Sequence, residues 1–531
     1  MAKQAKKSTF FGGVATLGIG VIIVKLIGAL YKIPLANILG ETGFGYFNAA
    51  YNIYNVLLII STAGLPVALS KTISEANALG RHNQVSRVFK VALTTFITLG
   101  ALSTLVMFFG ANFITRLMGT PDSAPSVRAL ALAPLCVCCM AAFRGYFQGH
   151  GNMAPTSTSQ VVEAAFKLVL GLALASLLAR QSVILASAGA ILGVTIGTVV
   201  ALAFLLFIFS RRRDSRLSQD IPDPSSRILK TLVAIAIPIT IGSSVTNIVY
   251  VLDNGIILKQ LQNVFGMTHE ESDSMYGIYS AAGTLYNLPS SLMIPFTAAL
   301  LPAVSACRSR KDFQGASRVA ESGMRVSMLL ALPAGFGLTA LAGPICAMLY
   351  PEYDNAIAGG CLQWLGIASI FVCIMLLSNS ILQANGIVNL PVVIAAIGGV
   401  IKLGVNYVLV GVESLNVVGA AIGTLCCFAV VAGLDLFVIH RVIPNPPSLR
   451  RIFLKPLIAS VIMAAAAWSL HGLLARFLGT SGMGGAVATM GGIGFGALVY
   501  AALIILLKVI SKEDLALMPK GDKIARFLRL D

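Results

Sequence analysis

The sequence predicts an all-α polytopic membrane protein of about fourteen transmembrane helices, built as two parallel six-helix lobes plus two extra C-terminal helices. Three observations predict it. The 531 residues are 57% apolar and only 11% charged, against roughly 45–50% and about 25% in a soluble domain. Apolar runs recur from residue 11 to residue 510, each of about 20 residues and so able to cross roughly 30 Å of hydrocarbon as a helix. Segments of the first half also return, in order, in the second. Barrel strands would instead be about ten residues of alternating polarity, a pattern these runs lack.

Taken in order, the runs place spans near residues 11–36, 45–70, 88–115, 127–147, 156–179, 183–210, 228–258 and 276–304. Six more lie near 322–349, 357–384, 390–412, 415–440, 453–475 and 484–510. The first follows a basic start but is too long, and lacks the small-residue cleavage pattern, for a signal peptide, so it reads as a retained helix. The formal charge of +17 reports orientation rather than nucleic-acid binding. With spans alternating, 29 of the 38 basic residues fall on one side, 5 on the other and 4 inside spans. Basic residues collect on the cytoplasmic side, which puts Lys3, Lys6, Lys7 and the run Arg211, Arg212, Arg213 inside. Both termini are then cytoplasmic in a multi-pass membrane protein. After Pro519, Lys520, Lys523, Arg526 and Arg529 alternate with Ile524, Phe527 and Leu528, the pattern of a short helix lying on anionic membrane lipid.

The internal repeat fixes the domain organisation. Ala49 to Asn55 (A-A-Y-N-I-Y-N) returns as Ala281 to Asn287 (A-A-G-T-L-Y-N), and S-R-V at Ser86 returns at Ser317. Gln148 to Pro155 returns as Gln383 to Pro391, with Lys167 and Lys402 at nearly equal distances beyond, and G-A-x-x-G at Gly189 returns at Gly419. All offsets fall between 230 and 236. Six spans per unit is even, so the repeats are parallel. The expected divisions are residues 1–227, then 228–450, then 451–531 for the two helices without counterpart. A substrate site is expected between the halves near mid-membrane. The glycines four apart at 189, 193 and 197, and at 419 and 423, suit close helix packing.

No nucleotide-binding loop, zinc-protease helix or nucleophile elbow is present, and the nine cysteines and five histidines form no ligand set. An enzyme, a resident metal and a cofactor are therefore not expected. The informative residues are lysines inside apolar spans: Lys25, Lys32, Lys167 and Lys402. Each costs roughly 2.5–3.5 kcal/mol at a lipid-facing bilayer centre, so they are expected to face a polar interior. Lys25 and Lys32, seven residues apart, share a helix face, with Gly28 leaving space beside them. Lys32 is also near enough to the span end to snorkel. Lys167 follows Glu163 by one turn, which offers an ion pair as an alternative to a substrate role. Lys402 has only Asn406 one turn on. The span acids are Glu163, Asp253 and Asp435, fewer than the lysines, so an anionic substrate is favoured. Asp253 offers a coupling-ion site for Na+ or H+, or a countercharge. Tyr54, Asn55, Tyr286 and Asn287 recur symmetrically and suit either sugar binding or packing.

Three segments carry a resemblance: V-K-L-I-G-A-L-Y-K (Val24 to Lys32), G-L-P-V-A-L-S-K-T-I-S-E (Gly64 to Glu75) and R-G-Y-F-Q-G-H-G-N-M-A-P-T (Arg144 to Thr156). Together they resemble the polysaccharide-exporting branch of the multidrug/oligosaccharidyl-lipid/polysaccharide (MOP) superfamily, the branch of stage V sporulation protein B and MurJ-type lipid II flippases. The resemblance implies two lobes working by alternating access and an undecaprenyl-pyrophosphate-linked glycan, lipid II or a related cell-wall precursor, as the exported partner. It also implies basic first-helix site residues, here Lys25 and Lys32, and a lipid-tail groove formed by the last two helices. Where Gram-negative members carry arginines in the second and eighth spans, this chain has Asn55 and Thr284 or their neighbours. The alternatives are a cation-coupled multidrug exporter of the same superfamily and a non-transporting scaffold for wall-synthesis enzymes.

Overall fold

The computed structural model describes residues 2–62, 64–211, 220–507 and 509. Sixteen α-helices and one 3-10 turn account for its secondary structure, with no strand among the described residues. The basic run after Arg211 and the C-terminal amphipathic segment lie outside those residues. Among the described residues eleven stretches are long and apolar enough to cross a membrane, against the fourteen expected of the whole chain. The differences are local. One stretch, Ile23–Ile59, overlaps both of the first two expected spans. The seventh and eighth correspond to α8 (Ser225–Phe265) and α9 (His269–Ser309), 41-residue helices outside the eleven.

A loop was expected between the first two spans, and α1 (Ala2–Thr62) shows none. It is broken only at Gly40, whose φ of 65° and ψ of −177° are non-helical. That φ is open to glycine without a Cβ penalty, so a single residue interrupts the helix. α2 (Leu65–Ala78) opens on Pro66 at a first-turn position, where its missing N–H costs nothing. α3 (His82–Met118), the 3-10 turn Pro121–Ser123, α4 (Ala124–Leu130), α5 (Ala133–Gly149), α6 (Ala154–Ala179) and α7 (Val183–Ser210) follow. These helices, with α8 and the start of α9, form one compact unit, Met1–Gly277.

The second unit, Ile278–Asp531, holds the rest of α9 and α10 (Phe313–Ala340), α11 (Ala342–Leu349), α12 (Asn355–Ala384), α13 (Asn389–Leu409) and α14 (Val418–Val442). It also holds α15 (Leu449–Leu478) and α16 (Gly482–Leu506). Its core includes Met293, Met324, Met328, Cys373, Leu377 and Ile381. The last two helices pack on α10, where Tyr500 donates to the Leu329 carbonyl at 2.8 Å beside Ala459 and Met463. The packing boundary at Gly277 and the sequence-repeat boundary at residue 227 are different things, because α8 packs on α1, α2 and α3.

The repeated sequences adopt repeated geometry. Gly151 N–H donates to the Gln148 carbonyl and Asn152 N–H to Phe147; 235 residues later Gly386 donates to Gln383 and Ile387 to Leu382. Gly151 and Gly386 have φ of 75° and 82°, the left-handed turn that ends each helix. In the first unit Gly193 stands against Gly171 backbone and Gly189 against the Leu174 carbonyl. Gly423 stands against Asn406 and Gly419 against the Leu409 carbonyl in the second. The glycine ridges of α7 and α14 are thus packing surfaces for α6 and α13. Small departures also fall at equivalent places: Asp435, fully buried, stands 230 residues after Leu205.

Helix α10 is capped by its own Asp312, whose Oδ1 accepts from Gly315 N–H at 2.7 Å. At the equivalent position before α3 stands Arg81, whose side chain offers no acceptor. Asp220, from the segment leading into α8, supplies the cap instead: its two carboxylate oxygens accept from Asn83 and Gln84 N–H, both at 2.9 Å. Asp223 holds the same segment through Gln84 Nε2 at 3.0 Å and Arg81 at 3.5 Å. Asp220→Ala is therefore expected to lower stability by about 1–2 kcal/mol, the worth of a strong helix cap. Adding Arg81→Asp, which recreates the arrangement of α10, should recover most of it; thermal unfolding in detergent measures both.

Candidate functional site

The clearest concentration of intramembrane charge lies in the first unit, where α1 packs on α6. Gly171, one turn beyond Lys167, leaves no side chain on α6, and the ring of Tyr31 fills that space against the helix. Tyr31 is fully buried and donates to the Ala190 carbonyl of α7 at 3.2 Å. Its ring is thereby fixed, and the Lys167 ammonium lies 5.0 Å from its centroid. Tyr51, beyond the Gly40 break, completes the cradle: Lys167 Nζ donates to its hydroxyl at 3.2 Å and lies 4.7 Å from its ring centroid. Cation–ring contacts of this kind contribute about 0.5–2 kcal/mol, most when desolvated.

Tyr51 is itself held in a file along α1. Phe44, Phe47, Tyr51 and Tyr54 follow at steps of three and four residues, with successive ring centroids 6.0, 5.8 and 5.7 Å apart. That spacing puts them on one helix face. Phe47 also meets Tyr31 edge-on at 6.1 Å. Tyr54, a sequence candidate, is buried in this file and Asn55 is half-buried beside it. Tyr31 and Tyr51 were not among the sequence candidates. Their signal was the periodic aromatic spacing, which in an apolar span also describes ordinary core.

Glu163 corrects an expectation. It pairs with Arg144 of α5, guanidinium to carboxylate at 3.0 Å, and the same guanidinium holds Ser159 Oγ at 3.0 Å. The in-helix carboxylate one turn from Lys167 is thus engaged elsewhere, by a side chain whose fork suits it better than an ammonium does. Lys32 is half-buried, Lys25 is exposed, and a Cβ at Gly28 between them would meet nothing within 4 Å. The charges acting on Lys32 are those of Lys167 and Lys25, so the three ammoniums share one locality. Among the described residues none of the three has a carboxylate partner. Together with Arg144 they set four cations against the single carboxylate of Glu163.

Of the remaining candidates, Asp253 belongs to the first unit and Lys402, Asn406, Tyr286 and Asn287 to the second. Asp253 is buried in α8 beside Asn254. Lys402 and Asn406 are on α13 of the second unit, 3% and 0% exposed. Lys402 is therefore packed inside rather than lining an open face, unlike half-buried Lys167 at the matching place in the first repeat. Tyr286 is buried near Phe428, with ring centroids 6.4 Å apart. Asn287 is exposed and donates to the Gly283 carbonyl of its own helix at 2.7 Å. Thr284 is spent in the same way, on Ser280 at 3.2 Å.

A family profile described as polysaccharide biosynthesis protein matches residues 10–307, and one described as MatE matches residues 266–408. Membrane protein YabM of Bacillus subtilis is 26% identical, over 99% of this chain and 97% of its own. Stage V sporulation protein B of the same organism is 24% identical over 98% of both chains. Its lipid II flippase MurJ is 24% identical over 76% of this chain and 78% of its own. Among solved structures, lipid II flippase MurJ in an inward closed conformation superposes with a TM-score of 0.70 at 14% identity, covering 92% of this chain and 98% of that one. An inward-facing MATE-family transporter of the MOP superfamily gives 0.68 at 16% identity, covering 79% and 94%. The fold expected from the sequence is the fold of these transporters.

Proposed function

The chain belongs to the polysaccharide biosynthesis protein family, and from that premise we propose that it is a flippase moving a polyprenyl-linked anionic glycan from the inner to the outer leaflet. It is a multi-pass membrane transporter of the MOP superfamily, related to MurJ and stage V sporulation protein B, and not an enzyme. The observation that carries the finer reading is the face of Lys25, Lys32 and Lys167, three ammoniums without a carboxylate partner among the described residues, the in-helix Glu163 being held by Arg144. Clustered like charges inside an apolar span are stable only if an anion visits them or water reaches them. A pyrophosphate supplies two negative charges and several acceptor oxygens for such a group. Its polyprenyl tail would stay in lipid, so only the headgroup requires a polar path.

Energetics agree in sign. With the cell interior negative, moving two negative charges outward gains about 4.6 kcal/mol per 100 mV, at about 2.3 per charge. The membrane potential then supplies a driving force without a coupled cation. In cells depleted of their own lipid II flippase, the chain is expected to restore growth and outer-leaflet lipid II. Membrane insertion without rescue would overturn lipid II as the substrate and direct the assay to other polyprenyl-linked glycans. The MatE profile match favours a second reading, export of cationic drugs. That reading needs an acidic face, and would be supported by drug resistance in expressing cells that rescue fails to accompany.

A further inference from the structure

At the end of the first unit that the charge distribution assigns to the outside, α1 and α9 cross in backbone contact. A Cβ at Gly45 would collide with the Asp273 carbonyl, and one at Gly277 with the Glu41 carbonyl. The crossing is held by Ser274 Oγ donating to Glu41 at 2.7 Å and by Asn52 donating to Tyr276 at 2.8 Å. A reciprocal cap fixes the start of α9: Glu271 accepts from Thr268 N–H at 2.8 Å, and Thr268 Oγ1 accepts from Glu271 N–H at 3.2 Å. His269 and Gln262 both bond the Gly119 carbonyl, at 2.9 and 2.7 Å, which brings the turn after α3 against the same junction.

Asp273 lies inside this junction. Its residue exposure is 0%, and its two carboxylate oxygens are buried, with only the Thr120 hydroxyl approaching them among the described residues. The groups that act on it come from the turn after α3, namely the Thr120 hydroxyl and the Asp122 carboxylate. From α1, Tyr46 senses both Asp273 and Asp122, together with Glu270 of α9, and reaches Asp122 Oδ2 at 3.5 Å. No cation is among these groups. An ionised carboxylate here would be a buried charge beside another carboxylate, whereas a neutral carboxylic acid removes that penalty.

We propose that Asp273 is a proton-binding site that locks the α1–α9 crossing when occupied and loosens it when emptied. A proton suits the site better than a metal ion: among the described residues no group of three or more His, Cys, Asp or Glu is placed to hold one. Burial, aided by Asp122 and opposed by Thr120, raises the Asp273 carboxyl from the ordinary 3.8 to about 8 in the closed junction. Between these values the closed form holds a proton that the open form has lost. Closure therefore weakens as pH rises, by up to about tenfold per pH unit from about 4 to about 8, and is constant above that. The site goes beyond the transport reading and does not depend on the glycan.

Hydrogen–deuterium exchange of the full chain in nanodiscs tests it, read on peptides covering residues 41–52 and 269–280 and corrected for intrinsic chemical pH dependence. Wild type is expected to lose protection up to about a hundredfold from about pH 5 to about pH 7 and to level off near about pH 8. Asp273→Asn, neutral at every pH and nearly isosteric, should stay protected with a flat profile. Asp122→Asn should move the levelling point to lower pH while keeping the slope, and serves if the first variant folds poorly. A flat wild-type profile, or the same slope in Asp273→Asn, would overturn the proposal. So would protection that follows sodium concentration at fixed pH.

Discussion

Lys167→Ala is expected to reduce lipid transport roughly ten- to hundredfold at equal expression, with a loss of stability of no more than about 2 kcal/mol. The magnitude follows from removing one charge-assisted contact to the substrate anion, about 1.5–3 kcal/mol. The stability expectation follows because Lys167 balances no buried carboxylate; its ammonium is held by the Tyr51 hydroxyl and two aromatic rings. Tyr51→Phe keeps the ring and loses the hydroxyl, so its effect should be smaller. Arg144→Met tests the same electrostatics from the other side. It releases Glu163, one turn from Lys167, to neutralise that lysine, and transport should fall although no proposed ligand has been touched. Glu163→Gln on that background should restore it. Transport of the lipid that wild type moves, counted per reconstituted molecule, is the measurement. Undiminished transport by Lys167→Ala would remove this face from the substrate path.

Composition and periodicity carry the fold class because crossing a membrane constrains every span in the same way. Each needs about 20 apolar residues and an internally satisfied backbone. Details that depend on one residue's conformation were less legible: the apolar runs near 11–36 and 45–70 read as separate spans, whereas one helix interrupted only at Gly40 joins them. The site was legible in its charges and not in its partners. Spacing says that Glu163 can reach Lys167; it does not say that Arg144, on α5, offers a better-shaped partner at 3.0 Å. Tyr31 and Tyr51 were hidden for a related reason. An aromatic stripe inside a span is normally core, and only the placement of Gly171 under the Tyr31 ring turns it into a cradle for an ammonium. Lys402 shows the limit of the repeat itself. It matches Lys167 in sequence register but is packed to 3% exposure, and Asn406 stands on α13 at the place that Gly171 holds on α6.

The same difference between the repeats yields the largest expected stability effect. Gly193 and Gly423 hold equivalent places on α7 and α14, yet a Cβ at Gly193 would meet the Gly171 backbone, while one at Gly423 would meet the side chain of Asn406 first. Alanine is the better helix former by about 1 kcal/mol, so without the obstruction both substitutions would stabilise. With it, both are expected to destabilise by about 1–3 kcal/mol, the cost of overpacking. The remedies should differ. Asn406→Gly, which installs in α13 the residue α6 already has, removes the group that the methyl added by Gly423→Ala would strike. The pair Asn406→Gly with Gly423→Ala should therefore be more stable than the sum of its single effects, by a coupling of about 1–2 kcal/mol, within the range for residues in contact. No side-chain change on α6 can relieve Gly193→Ala, because the obstacle there is backbone and only separation of the two helices makes room. A double-mutant cycle read by thermal unfolding measures the coupling. Additivity at Asn406 and Gly423 would mean that the helices of the second unit separate as well, and that its crossing is the softer of the two.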